Sequence, residues 1–89
     1  MERVGDQGRL EALVASGDGF LYNEFDGGWG GAEYSLLHWT GCGTLKRANL
    51  SYPKRHFGTL SEARQWLTAN RGAEGVAWRT CAMCAAEPR

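Results

Sequence analysis

Three cysteines and a nearby histidine constrain this 89-residue chain more than any other feature of its sequence. A chain of this length has difficulty burying enough apolar surface to offset its conformational entropy, so small domains commonly depend on disulfides, oligomerisation or a structural metal. Cys81 and Cys84 are separated by two residues, a spacing that can present two thiolates to one tetrahedral ion. Cys42 follows His38 by four positions. These four residues predict a metal site with one imidazole and three thiolates.

The donor set also predicts the kind of ion. Soft thiolates with one imidazole favour zinc over magnesium or calcium, and four protein ligands leave no open position for a substrate. We therefore expect one structural zinc ion that joins a hairpin end to the C-terminal CxxC turn. His56 is an alternative to His38 as the fourth ligand. Two other interpretations remain: the cysteines are small buried hydrophobic residues, or Cys81 and Cys84 form a redox pair.

The cysteine count and the N-terminal segment bear on the compartment. An odd number of cysteines fits a disulfide framework poorly, and residues 1–10 include four charged side chains and no apolar core of the secretory kind. No run approaches the roughly 20 apolar residues that span a bilayer. These observations predict a cytoplasmic protein with no membrane role.

Charge is distributed unevenly along the chain, although its formal net charge is zero. Residues 1–42 hold two basic against seven acidic residues, a net charge of −5, whereas residues 43–84 hold seven basic against two acidic, a net charge of +5. Such an asymmetry indicates a surface that faces a polyanion, unless the two halves pair internally. The basic stretch 43–55 contains Lys46, Arg47, Lys54 and Arg55.

Local patterns predict two short helices. Apolar residues recur at helical spacing over residues 6–16, and Gly17 follows as a C-cap. Thr59 and Glu62 match a capping box, in which the hydroxyl accepts from the Glu62 amide and the carboxylate reaches back to the Thr59 amide. A helix over residues 60–70 should follow, with Gly72 beyond its end.

Aromatic-rich runs at residues 19–25 and 32–39 flank a glycine-rich turn and predict a β-hairpin, and residues 76–79 predict a short strand. We thus expect one α+β domain over residues 1–89, stabilised by zinc, with a β-hairpin or small antiparallel sheet and one or two short helices. Residues 1–5 and 85–89 are predicted to be tails.

Residues 38–84 resemble the cysteine-rich metal-binding domain of Ada-type DNA alkylation-response proteins and related small bacterial zinc modules. The shared features are the pair His38 and Cys42, the basic stretch, an aromatic entry to a helix at residues 57–63, and a closing aromatic, basic and CxxC run at residues 78–84. The resemblance implies zinc in a small α+β scaffold and contact with the DNA backbone. Repair members use the first cysteine of the leading pair as a methyl acceptor, and because His38 stands there, self-methylation is not implied. Similar modules with a leading histidine look like appendages of bacterial nucleases and DNA-modification-sensing proteins.

These observations predict a non-catalytic zinc-binding module that binds nucleic acid, with DNA, modified or not, as the expected form. The basic side chains Lys46, Arg47, Lys54 and Arg55 would contact phosphates, so affinity should fall as salt rises. Trp29, on its glycine-rich loop, would stack on a base.

Two alternatives belong to other functional classes. A protein-interaction adaptor or small regulator would use exposed aromatic anchors, for which the candidates are Tyr22, Phe25 and Trp29. An enzyme such as a ββα-metal nuclease would need a catalytic histidine and further metal ligands, and only His56 is left over. Glu24 and Asp26 could pair as carboxylates, but acidic residues at a strand end more often face solvent. We therefore expect no catalysis and no small-molecule substrate.

Overall fold

The computed structural model of the chain describes residues 1–24, 35–46 and 48–87. In these ranges five strands form one sheet with two α-helices, which confirms the α+β class. The elements are β1 (Glu2–Val4), α1 (Gln7–Ser16), β2 (Phe20–Asn23), β3 (Leu36–Trp39), a 3-10 turn (Gly43–Leu45), β4 (Lys54–Phe57), α2 (Leu60–Arg71) and β5 (Arg79–Thr80).

The strand order across the sheet is β1-β4-β2-β3-β5. The strands β2 and β3 pair antiparallel, which confirms the predicted hairpin, while its loop at residues 25–34 lies outside the described residues. The sheet is mixed and not antiparallel throughout, because β5 pairs with β3 in parallel, with Leu37 opposite Thr80. Because β5 runs parallel to β3, it leads the chain toward the C-terminal end of β3, so Cys81, which follows β5, lies near His38.

The N-terminal residues form an edge strand where a tail was expected. In β1, Glu2 lies opposite His56 and Val4 opposite Lys54 of β4. A strand of three residues is too short to show an alternation of apolar and polar side chains, so it can be recognised only from its pairing with β4. The expected strand at residues 76–79 is also displaced, since the observed β5 covers only Arg79–Thr80. At the other end, Ala86 is buried within the predicted tail.

Gly17 ends α1 and Thr59 caps α2 as predicted, whereas the Asp6 cap was not predicted and the Glu62 carboxylate bonds Met1 where a return to the Thr59 amide was expected. The Asp6 carboxylate accepts from the Arg9 N–H at 2.9 Å, and Gly17 ends α1 with φ of 67°. The Thr59 hydroxyl accepts from the Glu62 N–H at 3.1 Å at the start of α2. The Glu62 carboxylate accepts from the N-terminal ammonium of Met1 at 2.8 Å, which ties β1 to α2.

The sheet separates two apolar layers because side chains alternate along its strands. In β2, Phe20 and Tyr22 pack with Ala63 and Leu67 of α2, whereas Leu21 faces the opposite layer. That opposite layer holds Leu10 and Leu13 of α1, and it also contains the three cysteines. Neither described helix has the length and apolarity needed to cross a membrane.

Candidate metal centre

The end of β3 positions the first two candidate ligands. His38 lies opposite Leu21 of β2 in the antiparallel register, so its imidazole is on the sheet face that also carries α1. Beyond Trp39 the chain turns, and the Cys42 N–H donates to the Trp39 carbonyl at 2.9 Å. The indole ring folds over Gly41, where a Cβ would lie only 2.5 Å from a ring carbon. Glycine at this position therefore allows the compact HxxxC turn.

The C-terminal turn supplies the other two ligands. The Cys81 N–H donates to the Leu37 carbonyl at 2.9 Å, which extends the pairing of β5 with β3 by one residue. The chain then reverses, with the Ala85 N–H donating to the Cys81 carbonyl at 2.7 Å. This reversal places the Cys84 sulfur beside the backbone of Trp39, whose N–H donates to it at 3.3 Å.

The structure brings all four predicted ligands together. The ligand atoms of His38, Cys42, Cys81 and Cys84 lie within 4.8 Å of one another, and each residue is 5% exposed or less. A tetrahedron with Zn–S bonds of about 2.3 Å has edges of about 3.8 Å, so small side-chain adjustments would close the cluster on one ion. The three thiols form no disulfide. The cluster can hold one metal ion.

The other histidine lies elsewhere in the fold. His56 is in β4, and its Nε2 donates to the Asp18 carbonyl at 2.7 Å. The group of potential metal ligands found in the described residues contains His38 and not His56.

The electrostatic surroundings suit His38 and Cys42 to metal binding. Burial, followed by the nearby Lys54 ammonium, lowers the pKa of His38 to about 4, so the imidazole is neutral at pH 7 and has a lone pair for a metal. Burial raises the pKa of the Cys42 thiol, but hydrogen bonds from Thr44 and from the other two cysteine side chains together outweigh it, and the net pKa lies below its ordinary value. Burial dominates at Cys84 and raises its pKa.

Thr44 contacts two of the ligands, and its place in the sequence gave no indication of this. Its Oγ1 lies 3.0 Å from the Cys42 sulfur and 3.5 Å from Nδ1 of His38. A hydroxyl in this position can donate to the thiolate while it accepts from the imidazole, which would orient both side chains.

The predicted nucleic-acid residues do not form one uniform surface. Lys46 is exposed, whereas Lys54 is only 5% exposed and its ammonium donates to the Tyr52 carbonyl at 2.9 Å. The guanidinium of Arg55 lies over the Trp66 ring, 4.7 Å from its centroid. Arg47 and Trp29 lie outside the described residues.

Sequence reasoning missed a basic neighbour of Arg55. Arg3, in the segment expected to be a tail, lies directly opposite Arg55 in the pairing of β1 with β4. The guanidinium of Arg71 lies over the same Trp66 ring, 5.1 Å from its centroid, and Arg71 also pairs with Glu24. Trp66 is thus contacted by two arginines. The position of Arg3 next to Arg55 depends on the pairing of β1 with β4, which the sequence did not reveal.

Residues proposed for the alternative functions are placed less favourably. Tyr22 is 1% exposed in the layer beneath α2, so it cannot anchor a protein partner, and the expectation that it would do so is wrong. Glu24 is engaged by Arg71. Phe25 and Asp26 lie outside the described residues.

No family model, curated protein or solved structure gives a significant match to this chain. The resemblance to the Ada-type domain therefore remains a prediction from the residues.

Proposed function

We propose that this protein is a non-catalytic zinc-binding module that binds nucleic acid. The observation that carries the metal part is the buried convergence of His38, Cys42, Cys81 and Cys84, with ligand atoms within 4.8 Å of one another. Magnesium and calcium prefer oxygen ligands, whereas three thiolates and one imidazole suit zinc.

The ion would be structural. Four protein ligands complete a tetrahedral shell, which leaves no position for water or substrate. The ligands come from the end of β3 and from the turn after β5, so one ion would join two segments that are far apart in the sequence. Because such a site does not exist in the unfolded chain, the free energy of metal binding would contribute to folding.

Unpaired positive charge supports nucleic-acid binding. Among the described residues, the four ion pairs engage the N-terminus, Arg9, Arg64 and Arg71, while a second set of cations has no carboxylate partner. That set is Arg3, Lys46, Lys54, Arg55 and Arg79. Like charges directly opposite one another across strands are unfavourable, so the facing pair Arg3 and Arg55 would gain from an anion such as a phosphate. DNA is the proposed form of nucleic acid because the resemblance to the Ada-type domain implies it.

The test is binding to labelled duplex and single-stranded DNA across a salt series, with matched charge neutralisations. Arg3→Gln and Lys46→Gln each remove an exposed charge that has no ion-pair partner in the described part of the chain, whereas Arg64→Gln removes a charge already paired with Glu74. Each of the first two should weaken binding and lower the slope of log affinity against log salt by about 1. Arg64→Gln should change the slope less. Absence of binding at low salt would contradict the proposed nucleic-acid function.

A protein-interaction adaptor is the second candidate, and it is favoured by exposed apolar side chains. Val76 is 72% exposed and Met83 is 71% exposed, and Met83 lines an apolar groove beside the metal site together with Trp39. Exposed apolar side chains of this size are typical of interaction surfaces when they cluster. A protein that carries zinc but binds neither form of DNA at low salt would favour this function.

A further inference from the structure

A polar cavity of about 410 Å³ lies on the imidazole side of the metal centre. Its wall includes His38 and Thr44 but none of the three cysteines, so it is distinct from the groove beside the sulfurs. The other described residues of the wall come from the end of β2, the 3-10 turn and the segment after it, and the start of β4; they are Asn23, Leu45, Ala48, Asn49, Ser51, Tyr52 and Lys54.

Of the residues that the structure describes, Lys54 is the one Lys or Arg in the wall of this cavity. The residue is 5% exposed, its ammonium donates to the Tyr52 carbonyl at 2.9 Å, and none of the ion pairs in the described residues includes it. Burying a charged ammonium is costly unless an opposite charge accompanies it. Among the described residues, the cavity wall contains no carboxylate to provide that charge. A buried cation beside an open polar cavity is therefore a position for an anionic ligand.

Neutral donors surround the same space. The Asn49 side-chain oxygen accepts from the Ser51 N–H at 2.8 Å. This bond fixes the orientation of the Asn49 amide, whose NH₂ group is its hydrogen-bond donor. Asn23 and Thr44 add further polar groups to the wall. Tyr52 is 43% exposed at the same cavity, and aromatic rings beside a bound phosphate commonly stack on a base.

We propose that this cavity binds the phosphate of a nucleotide, with Lys54 as the cation that pairs with it. The inference deepens the proposed nucleic-acid function and rests on it for the choice of a nucleotide over other anions. A phosphate monoester carries a charge near −2 at neutral pH and three acceptor oxygens, which match one ammonium and several neutral donors.

The burial of Lys54 restricts the source of that phosphate. A rigid duplex presents its internal phosphates on a convex surface, and an ammonium that is only 5% exposed is out of their reach. A phosphate at the end of a strand, or that of a free nucleotide, can enter a cavity of this volume. These two sources share one chemistry, and the test separates them.

A rival explanation assigns Lys54 to the metal centre. A zinc ion with three thiolates and one imidazole carries a net charge of −1, which a nearby cation would balance. Lys54, however, lies among cavity residues that include His38 and no cysteine. The thiols of Cys42 and Cys84, which would carry negative charge on the metal, line the other groove.

In the test, ligand binding to the zinc-loaded full chain is measured by calorimetry and by changes in amide chemical shifts. The probes are inorganic phosphate, thymidine 5′-monophosphate, thymidine, and a short single strand with either a 5′-phosphate or a 5′-hydroxyl. Lys54→Met replaces the ammonium by a side chain of similar length, and Arg64→Met is the control because Arg64 does not line this cavity and is already paired with Glu74. Zinc content and the amide spectrum establish that each variant is folded.

We expect the monophosphate to bind and thymidine not to bind, and the 5′-phosphate to strengthen binding of the single strand. Lys54→Met should lower affinity for the phosphorylated probes about tenfold or more, as expected for loss of a charge-assisted hydrogen bond. Arg64→Met should leave the affinity for the monophosphate unchanged.

Two results would overturn the inference and leave the proposed function intact: equal binding of both single strands, or binding of the phosphorylated strand that Lys54→Met does not alter. Binding of phosphate and the monophosphate through Lys54, with no strand bound here and no duplex bound in the salt series, would support the cavity and contradict nucleic-acid binding. If no probe binds, the inference fails, and the proposed function fails with it when duplex DNA is not bound either. If Lys54→Met loses zinc and the wild type binds none of the phosphate-containing probes, Lys54 belongs to the metal centre and the inference is overturned.

Discussion

The backbone N–H of Trp39 donates to the sulfur of Cys84 at 3.3 Å, although the two residues are separated by 45 positions in the sequence. The bond joins the end of β3 to the C-terminal turn, the same two segments that provide the four candidate ligands. Backbone N–H groups that point at a thiolate stabilise its negative charge. This contact therefore holds Cys84 in place for a metal while it links the ends of the site.

Thr44 should act as a positioning residue for the metal. Replacing it with valine keeps the shape of the side chain but removes the hydroxyl between the Cys42 sulfur and Nδ1 of His38. Loss of such an outer contact typically costs 10-fold or more in metal affinity, so we expect a decrease of about 10-fold in Thr44→Val. Competition with a chromophoric chelator measures it. Thr68→Val, at an exposed position of α2, is the control, and equal affinities in the two variants would show that the Thr44 hydroxyl has no role.

The turn between His38 and Cys42 should tolerate a methyl group at one glycine and not at the other. A Cβ at Gly41 would lie 2.5 to 2.9 Å from atoms of the Trp39 ring, whose indole N–H also donates to the Gly17 carbonyl at 2.8 Å. A Cβ at Gly43 meets nothing within 4 Å. Gly41→Ala should lower the free energy of unfolding by about 1–3 kcal/mol, the usual cost of overpacking, and Gly43→Ala by much less. Urea denaturation of the zinc-loaded variants measures both, and equal stabilities would disprove the close approach of Trp39 to Gly41.

Stability should fall as the pH is lowered from 6.5 toward 4. The pKa of His38 is lowered to about 4 in the folded protein, so between these values the unfolded chain binds the proton more readily than the folded one. From pH 7.5 to 5 the free energy of unfolding should decrease by about 2 kcal/mol, and proton competition with the metal acts in the same direction.

Urea denaturation at a series of pH values measures this dependence. His56→Gln is the control, because glutamine keeps a donor for the Asp18 carbonyl. The decrease should persist in that variant. A free energy of unfolding that is constant over the range, or a pH dependence that disappears in His56→Gln, would contradict the role assigned to His38.

Features that depend on neighbouring residues in the sequence were predictable. Thr59 caps α2 as its spacing to Glu62 indicated, and Gly17 ends α1. The ligand set was predictable for a related reason, since an HxxxC pair and a CxxC pair are each short enough to be read directly. Their convergence followed from the requirement for four ligands and not from any knowledge of the strand order.

Features that depend on distant pairing were not predictable. Glu2–Val4 becomes a strand only because β4 lies beside it, and β5 is parallel only because the chain must return to the end of β3. Lys54 illustrates the same limit within the proposed binding surface. Its four-residue strand does not reveal which face is covered, so a lysine expected at the surface is buried beside a cavity.

The metal content of the folded protein tests the central claim most directly. We predict one zinc ion per chain by elemental analysis of protein purified without added metal, and a cobalt-substituted form with the intense visible bands of a tetrahedral site with three thiolates and one imidazole. Removing the metal with a chelator should unfold the chain, as judged by circular dichroism, and Cys84→Ser should bind the ion more weakly. A wild-type protein that is fully folded and contains no stoichiometric metal would contradict the claim.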